Sequence, residues 1–220
     1  MNQARSSVAA YDPEYTWNYE AALRTAWLDG SLILNANAFY TDWTQQQVVV
    51  NLGLNAYDSE VRNAGKSHLY GFELEVAQRL TPRLSWYISL GHTRTKFDDF
   101  KVTAGALVSD LSGSEFPYAP HWTAAAGVDH RWDNGLIAHL DGNYRSNAFS
   151  EADINQARTA LIKKHVVFNG RFGYERARWG AYVYGRNLLN ATYSQYTRTD
   201  IPVALLSEPR IIGLTLETRW

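Results

Sequence analysis

Residues 121–146 read HWTAAAGVDHRWDNGLIAHLDGNYRS. In the first half Trp122, Ala124, Ala126, Val128 and Trp132 share one parity, while Thr123, Asp129 and Arg131 share the other. Successive side chains of a strand point to opposite faces, so this segment is apolar on one face and polar on the other. Asp133-Asn134-Gly135 then supplies a tight turn, and alternation resumes at Leu136. The stretch is a β-hairpin.

The same pattern recurs from Trp17 to the end. WNYEAALRTAWL and SLILNANAFYTDW meet at Asp29-Gly30, and SHLYGFELEVAQRL and LSWYISLGHTRTKF meet at Thr81-Pro82-Arg83. HVVFNGRFGYER and WGAYVYGRNLL turn near Ala177-Arg178, and RIIGLTLETRW forms a strand by itself. Helical spacing of apolar residues is rare, so the chain reads as all-β, with about nine strands. Connections alternate between short turns and long polar segments, the latter roughly Val50 to Lys66, Asp98 to His121, Asn147 to Lys163 and Leu189 to Glu208. Every long segment therefore falls at one end of the strands.

Loop lengths mix between the two ends of a soluble sandwich, whereas transmembrane β-barrels keep short turns on the periplasmic side and long loops outside. The strand faces suit either architecture: Leu84, Trp86, Ile88 and Leu90 oppose Ser85, Ser89 and Gly91, and Tyr70, Phe72, Leu74 and Val76 oppose Gly71, Glu73 and Glu75. The tryptophans choose between them. Trp27, Trp86, Trp132, Trp179 and Trp220 stand beside short turns or at the chain end, at one level, as an interfacial girdle does. An odd strand count does not close as an ordinary even-numbered barrel, which points to a C-terminal part of something larger.

Composition narrows the classes further. Lys and Arg number 21 against 22 Asp and Glu, so no basic surplus marks a nucleic-acid binder. Cysteine is absent, which removes disulfides, thiolate metal sites and cysteine nucleophiles. Aromatic residues make up 14% of the chain, yet mean hydropathy is -0.36. No run approaches the ~20 apolar residues of a membrane helix, and the opening MNQARSSVAAYDPEY lacks a secretory apolar core.

Several stretches, in order, resemble the C-terminal barrel region of TonB-dependent outer-membrane receptors: YDPEYTWNYEAALRTAWLDGSLILNANAFYTDWTQQQ, VRNAGKSHLYGFELEVAQRLTPRLSW, FPYAPHWTAAAG, YVYGRNLLNATY and EPRIIGLTLETRW. The resemblance covers nearly the whole chain. It implies an antiparallel transmembrane barrel of about 22 strands closed by an N-terminal plug, of which residues 1–220 supply about the last nine. The plug, the segment that contacts TonB, the signal sequence and the early strands would lie outside this chain. The implied function is energy-coupled import of a scarce ligand, a ferric siderophore above all, with no enzymatic step and no covalently bound cofactor. The implied surroundings are outer-membrane lipid and lipopolysaccharide. The terminal strand, with Ile212, Leu214, Leu216 and Trp220, resembles the signal read by the barrel assembly machinery.

In that frame Tyr57, Arg62, Phe100, Phe116, Tyr118, Tyr193, Tyr196 and Arg198 lie in the long external segments, where aromatic and cationic groups suit an anionic iron chelate. The competing role for each is loop packing. Glu20, Arg24, Glu73, Glu75, Asp129, Arg131, His139, Asp141, Arg145, Arg171 and Glu175 share the polar parity, where they would hydrate the barrel interior and pair with the plug. Glu73 and Glu75, roughly 7 Å apart on one strand face, also fit the spacing of a glycosidase pair, but no partner motif accompanies them. The six histidines show no paired metal spacing. Two other classes stand beside the receptor: a smaller outer-membrane barrel enzyme, which needs a catalytic grouping at its rim, and a soluble all-β binding module, whose apolar strand faces would be core.

Overall fold

The computed structural model describes residues 10–51, 59–104, 107–152, 160–197 and 203–218. It contains β1 (Tyr15–Trp27), β2 (Leu32–Asn51), β3 (Ser59–Thr81), β4 (Leu84–Asp99), β5 (Lys101–Ala104), β6 (Leu107–Asp110), β7 (Trp122–Arg131) and β8 (Leu136–Arg145). There follow β9 (Ala148–Phe149), β10 (Leu161–Ile162), β11 (His165–Glu175), β12 (Trp179–Arg186), β13 (Ser194–Thr197), β14 (Ala204–Leu206) and β15 (Ile211–Thr218). Nine strands form one sheet in the order β1-β2-β3-β4-β7-β8-β11-β12-β15, each neighbour antiparallel to the last. The other six pair off as three short ribbons.

Turn chemistry sets the short-turn end. Leu28, Asp29 and Gly30 all take positive φ (53°, 54° and 79°), a twist that Gly and Asp tolerate and that matches the twist of the flanking strands. Gly135, at φ 96°, closes the turn between β7 and β8, its N–H donating to the Trp132 carbonyl at 3.0 Å.

At the other end the long segments are less loop-like than the sequence suggests. Of the span from Val50 to Lys66 most is strand, because the β2–β3 ladder continues from Gln46 opposite Ala64 to Asn51 opposite Ser59. The β-branched run Val48-Val49-Val50 favours extended backbone, and after the single positive-φ residue Gln45, φ 57°, the ladder resumes at Gln46 opposite Ala64 in the same register. Each of the other three long segments carries one ribbon: β5–β6, β9–β10 and β13–β14.

The apolar parity holds across the sheet. Thr25, Leu34, Val76, Ile88 and Ala126 lie in one cross-strand row, and Phe172, Val183 and Leu214 in another. This face is not a protein core: Ile212, Leu214 and Leu216 are 67%, 78% and 82% exposed, and the buried apolar cluster of Val48, Ala64, Phe97, Phe100, Val102 and Phe116 lies at the long-loop end. A soluble module would bury the apolar face, so that alternative does not describe this chain.

Two aromatic levels bound the apolar band. Near the short turns, Trp132 packs edge-on to Phe172 and Tyr174 lies 5.7 Å from Trp179. Toward the long segments Tyr19, Tyr40, His68 and Tyr70 form a ladder of rings at 6.0 to 6.5 Å, followed by Phe72, His92 and Trp122. Trp17 and Trp27, on one strand and one face, are ten residues apart, as are Trp122 and Trp132. At ~3.3 Å per residue and a tilt of about 40°, that spacing is about 25 Å of membrane thickness, the height of a barrel's apolar band. Beyond the upper level the same face turns ionic, with His68 Nδ1 2.6 Å from Asp98, Lys96 3.9 Å from Asp98, and Arg94 3.6 Å from Glu115.

On the polar face tyrosines lie flat over glycines. A Cβ at Gly127 would stand 2.4 Å from the Tyr87 ring, and one at Gly213 2.5 Å from Tyr184. Gly127→Val is therefore expected to expel Tyr87 and destabilise the folded wall by about 1–3 kcal/mol, read as a lower temperature for the folded-to-unfolded mobility change in detergent gels. Leu214→Arg places a charge in the apolar band and costs about 2–4 kcal/mol, while Thr215→Arg, on the opposite face, leaves the folded fraction near that of the native chain.

Candidate functional site

At the long-loop end, the polar face and three overhanging segments enclose a pocket of about 840 Å³. Its wall comes from β3, β4, β7, β8 and β11, including Glu73, Glu75, Ser89, Gly91, Thr123, Ala125, Asn143, Arg145 and His165. Its roof includes Tyr118, Pro120, Ala148, Ile162 and Tyr193 to Gln195.

The roof is one knitted lobe. Tyr118 N–H donates to the Phe149 carbonyl at 2.7 Å, Ser150 N–H to Ala160 at 2.9 Å, and the Ser150 hydroxyl to the Thr197 carbonyl. Tyr193 stacks on His165, centroids 3.7 Å apart and planes within 5°. His165 Nδ1 donates to the Lys163 carbonyl at 3.0 Å, which fixes the tilt of the imidazole and sets its other nitrogen on the opposite side of the ring.

Asn187 is the base of this lobe. It is 5% exposed, at φ 48°. Its Nδ2 donates to the carbonyls of Ala191 at 2.9 Å and Glu208 at 3.0 Å, and its Oδ1 accepts from Ala191 N–H at 2.8 Å. Its own N–H donates to Asn169 Oδ1 at 3.1 Å. Asn169 Nδ2 in turn donates to Asp141 at 2.9 Å, and His139 bridges Asp141 at 3.3 Å and Asp129 at 2.9 Å. One chain of hydrogen bonds thus runs up the polar face from the β7 wall to the roof.

Of the residues singled out in the sequence, Tyr118 and Tyr193 line the pocket, and Tyr196 sits on β13 close to Tyr118. Partial burial, then the neighbouring Tyr196 and Glu151, hold the Tyr118 phenol above its usual pKa. Phe100 and Phe116 do not line this pocket. At 1% and 9% exposure they pack with Phe97, so in this structure they are anchors of the buried cluster. Arg62 stands opposite Val48 on β3, half-buried and remote from the pocket lining. Tyr57, Arg198 and Trp220 lie outside the described residues. All eleven polar-parity charges share the face expected of them: Glu73 pairs in register through Gly91 and Thr123 to Arg145, and Asp129 through His139 to Arg171. Arg131 pairs with Glu175 at 2.5 Å, and Arg171 lies 4.6 Å over the Tyr182 ring.

Residues 2–188 match the model of the TonB dependent receptor-like beta-barrel family. The chain belongs to that family. TonB-dependent receptors are transport receptors, and the nine-stranded antiparallel sheet is part of such a barrel wall, with short turns at one end and long loops at the other. Among solved structures, the fold is similar to the ferric yersiniabactin uptake receptor FyuA of Yersinia pestis, at 23% identity and a TM-score of 0.74 over 92% of this chain and 29% of that one. It is also similar to the ferric-catecholate import receptor Fiu of E. coli K12, at 19% identity and a TM-score of 0.73 over 98% and 29%. The siderophore receptor PiuA of Acinetobacter baumannii matches at 18% identity and a TM-score of 0.76 over 94% and 28%. The chain thus spans less than a third of the length of these receptors, and at these identities the likeness concerns the fold.

Asn187 lies in the family-like stretch YVYGRNLLNATY but is not among the candidate residues of the sequence. Its signal was available in a polar residue immediately after the last strand position, followed three residues on by Asn190, also at positive φ. Asn187→Ala removes three side-chain hydrogen bonds from a buried site, a loss of about 1–3 kcal/mol. The expected result is faster amide exchange at Ala191 and faster proteolysis between residues 190 and 208, with the heat-modifiable barrel band retained.

Proposed function

We propose that this chain forms the C-terminal part of the wall, about the last nine of about 22 strands, of an outer-membrane receptor that captures a scarce ligand, best a ferric siderophore, from the outside. An N-terminal plug, moved by TonB, would then release the ligand inward. The observation that carries this reading is the pocket: it lies beneath the knitted external lobe, with Tyr118, the Tyr193–His165 stack and Arg145 facing it, above a wall whose outer face is suited to lipid. Flat aromatic rings and a guanidinium are the groups an anionic, ring-bearing iron chelate needs. The names of FyuA, Fiu and PiuA point the same way.

The same reading assigns the remaining parts. The apolar band faces outer-membrane lipid, and the ionic rim at Arg94 and Lys96 faces the lipopolysaccharide headgroups. The terminal strand, through Ile212, Leu214, Leu216 and Trp220, is the segment recognised by the assembly machinery. The chain carries loops and wall, with no catalytic role.

The test is binding of ferric chelates to the full receptor, followed by quenching of tryptophan fluorescence. Tyr193→Ala with Arg145→Gln is expected to weaken binding about ten-fold or more while leaving the folded mobility in detergent gels unchanged. If no hydroxamate, catecholate or mixed ferric chelate binds at micromolar concentration, the siderophore reading fails.

A further inference from the structure

The wall of the pocket carries opposite charges on opposite sides. In one cross-strand row Glu73 on β3 is followed by Gly91 on β4, Thr123 on β7 and Arg145 on β8. In the next row Glu75 is followed by Ser89, Ala125 and Asn143. Three strand spacings of ~4.8 Å separate the two carboxylates from the guanidinium by about 14 Å of sheet. Everything between them is small. The result is a trough with a low floor, acidic on one bank and cationic on the other.

These charges are not spent on each other. Among the described residues Glu73 and Arg145 have no hydrogen-bond or ion-pair partner, and Glu75 receives only a long bond, 3.4 Å, from Asn35. Arg24 stands two strands from Glu75, with Asn35 between them. The pattern contrasts with the lower wall, where Arg131 meets Glu175 and His139 bridges two aspartates. Two carboxylates held side by side on one face repel, and an ammonium group placed against both relieves that repulsion.

Resting on the receptor reading above, the geometry points to a dipolar ligand: a ferric chelate that also carries a free amine. The ammonium faces Glu73 and Glu75, and the anionic chelating groups face Arg145 beneath the Tyr193–His165 stack. Selection by the acidic bank would reject chelates of the same metal-binding chemistry that lack the amine, because burying the carboxylates against an uncharged group leaves them unpaired.

The experiment uses the full receptor in detergent and two probes: a ferric tris-catecholate bearing one free alkylammonium, and the same chelate N-acetylated. The native protein is expected to bind the first about ten-fold more tightly. Glu73→Gln with Glu75→Gln should bring that ratio to about one, whereas Arg145→Gln should weaken both probes alike. Binding of both probes by the native protein with a ratio near one overturns the inference and leaves the receptor reading intact. Binding of neither also overturns the inference, and the receptor reading falls with it only if no hydroxamate or mixed ferric chelate binds either. If the double glutamine variant keeps its ratio but unfolds at lower temperature, the carboxylates brace another part of the polypeptide, and the inference again falls.

Discussion

Hydrocarbon offers a backbone no hydrogen bonds, so a strand that crosses it must give every N–H and C=O to a neighbouring strand. The rest of this structure follows from that demand. It forces an unbroken antiparallel ladder through nine strands, permits only tight turns where the chain reverses at the inner side, and leaves side chains as the only variable. Side chains then divide by parity, apolar toward lipid and polar toward the interior. The edge strands β1 and β15 are where the ladder stops within this chain, and on the proposed receptor reading the flanking strands of a closed barrel would meet the same demand there.

Because parity is local, it was legible without a structure. Trp122, Ala124, Ala126 and Val128 announce their face by position alone, and the turns at Asp29-Gly30 and Asn134-Gly135 announce themselves by residues that accept positive φ. The inner tryptophan girdle was legible for the same reason. The outer girdle needed one more step, the ten-residue interval from Trp17 to Trp27, which converts a sequence spacing into a membrane thickness.

The external segments resisted because their packing is long-range. Phe100, Phe116, Tyr118 and Tyr193 look alike in sequence, each an aromatic residue in a polar stretch. Phe97, opposite Ser67 on β3, collects the first two into a buried cluster, while a backbone bond from Tyr118 to Phe149 and a ring stack on His165 turn the others to the pocket. No local pattern distinguishes these outcomes. The extension of β2 and β3 is different: Val48-Val49-Val50 carried a strand signal, which the neighbouring polar residues obscured.

That extended hairpin has a consequence for how the exterior can change over time. Beyond the ionic rim, β2 and β3 continue into water for about nine residues each, and the cluster of Val48, Ala64, Phe97 and Phe100 is what holds them upright. Segments on the outside of a cell are under pressure to vary, and on the proposed receptor reading this hairpin is one of them. Here that freedom is confined to one side of the hairpin. Val49, 69% exposed, can drift at little cost, whereas its neighbour Val48, 7% exposed, must keep its size. Antigenic variation along this segment should therefore itself show a period of two.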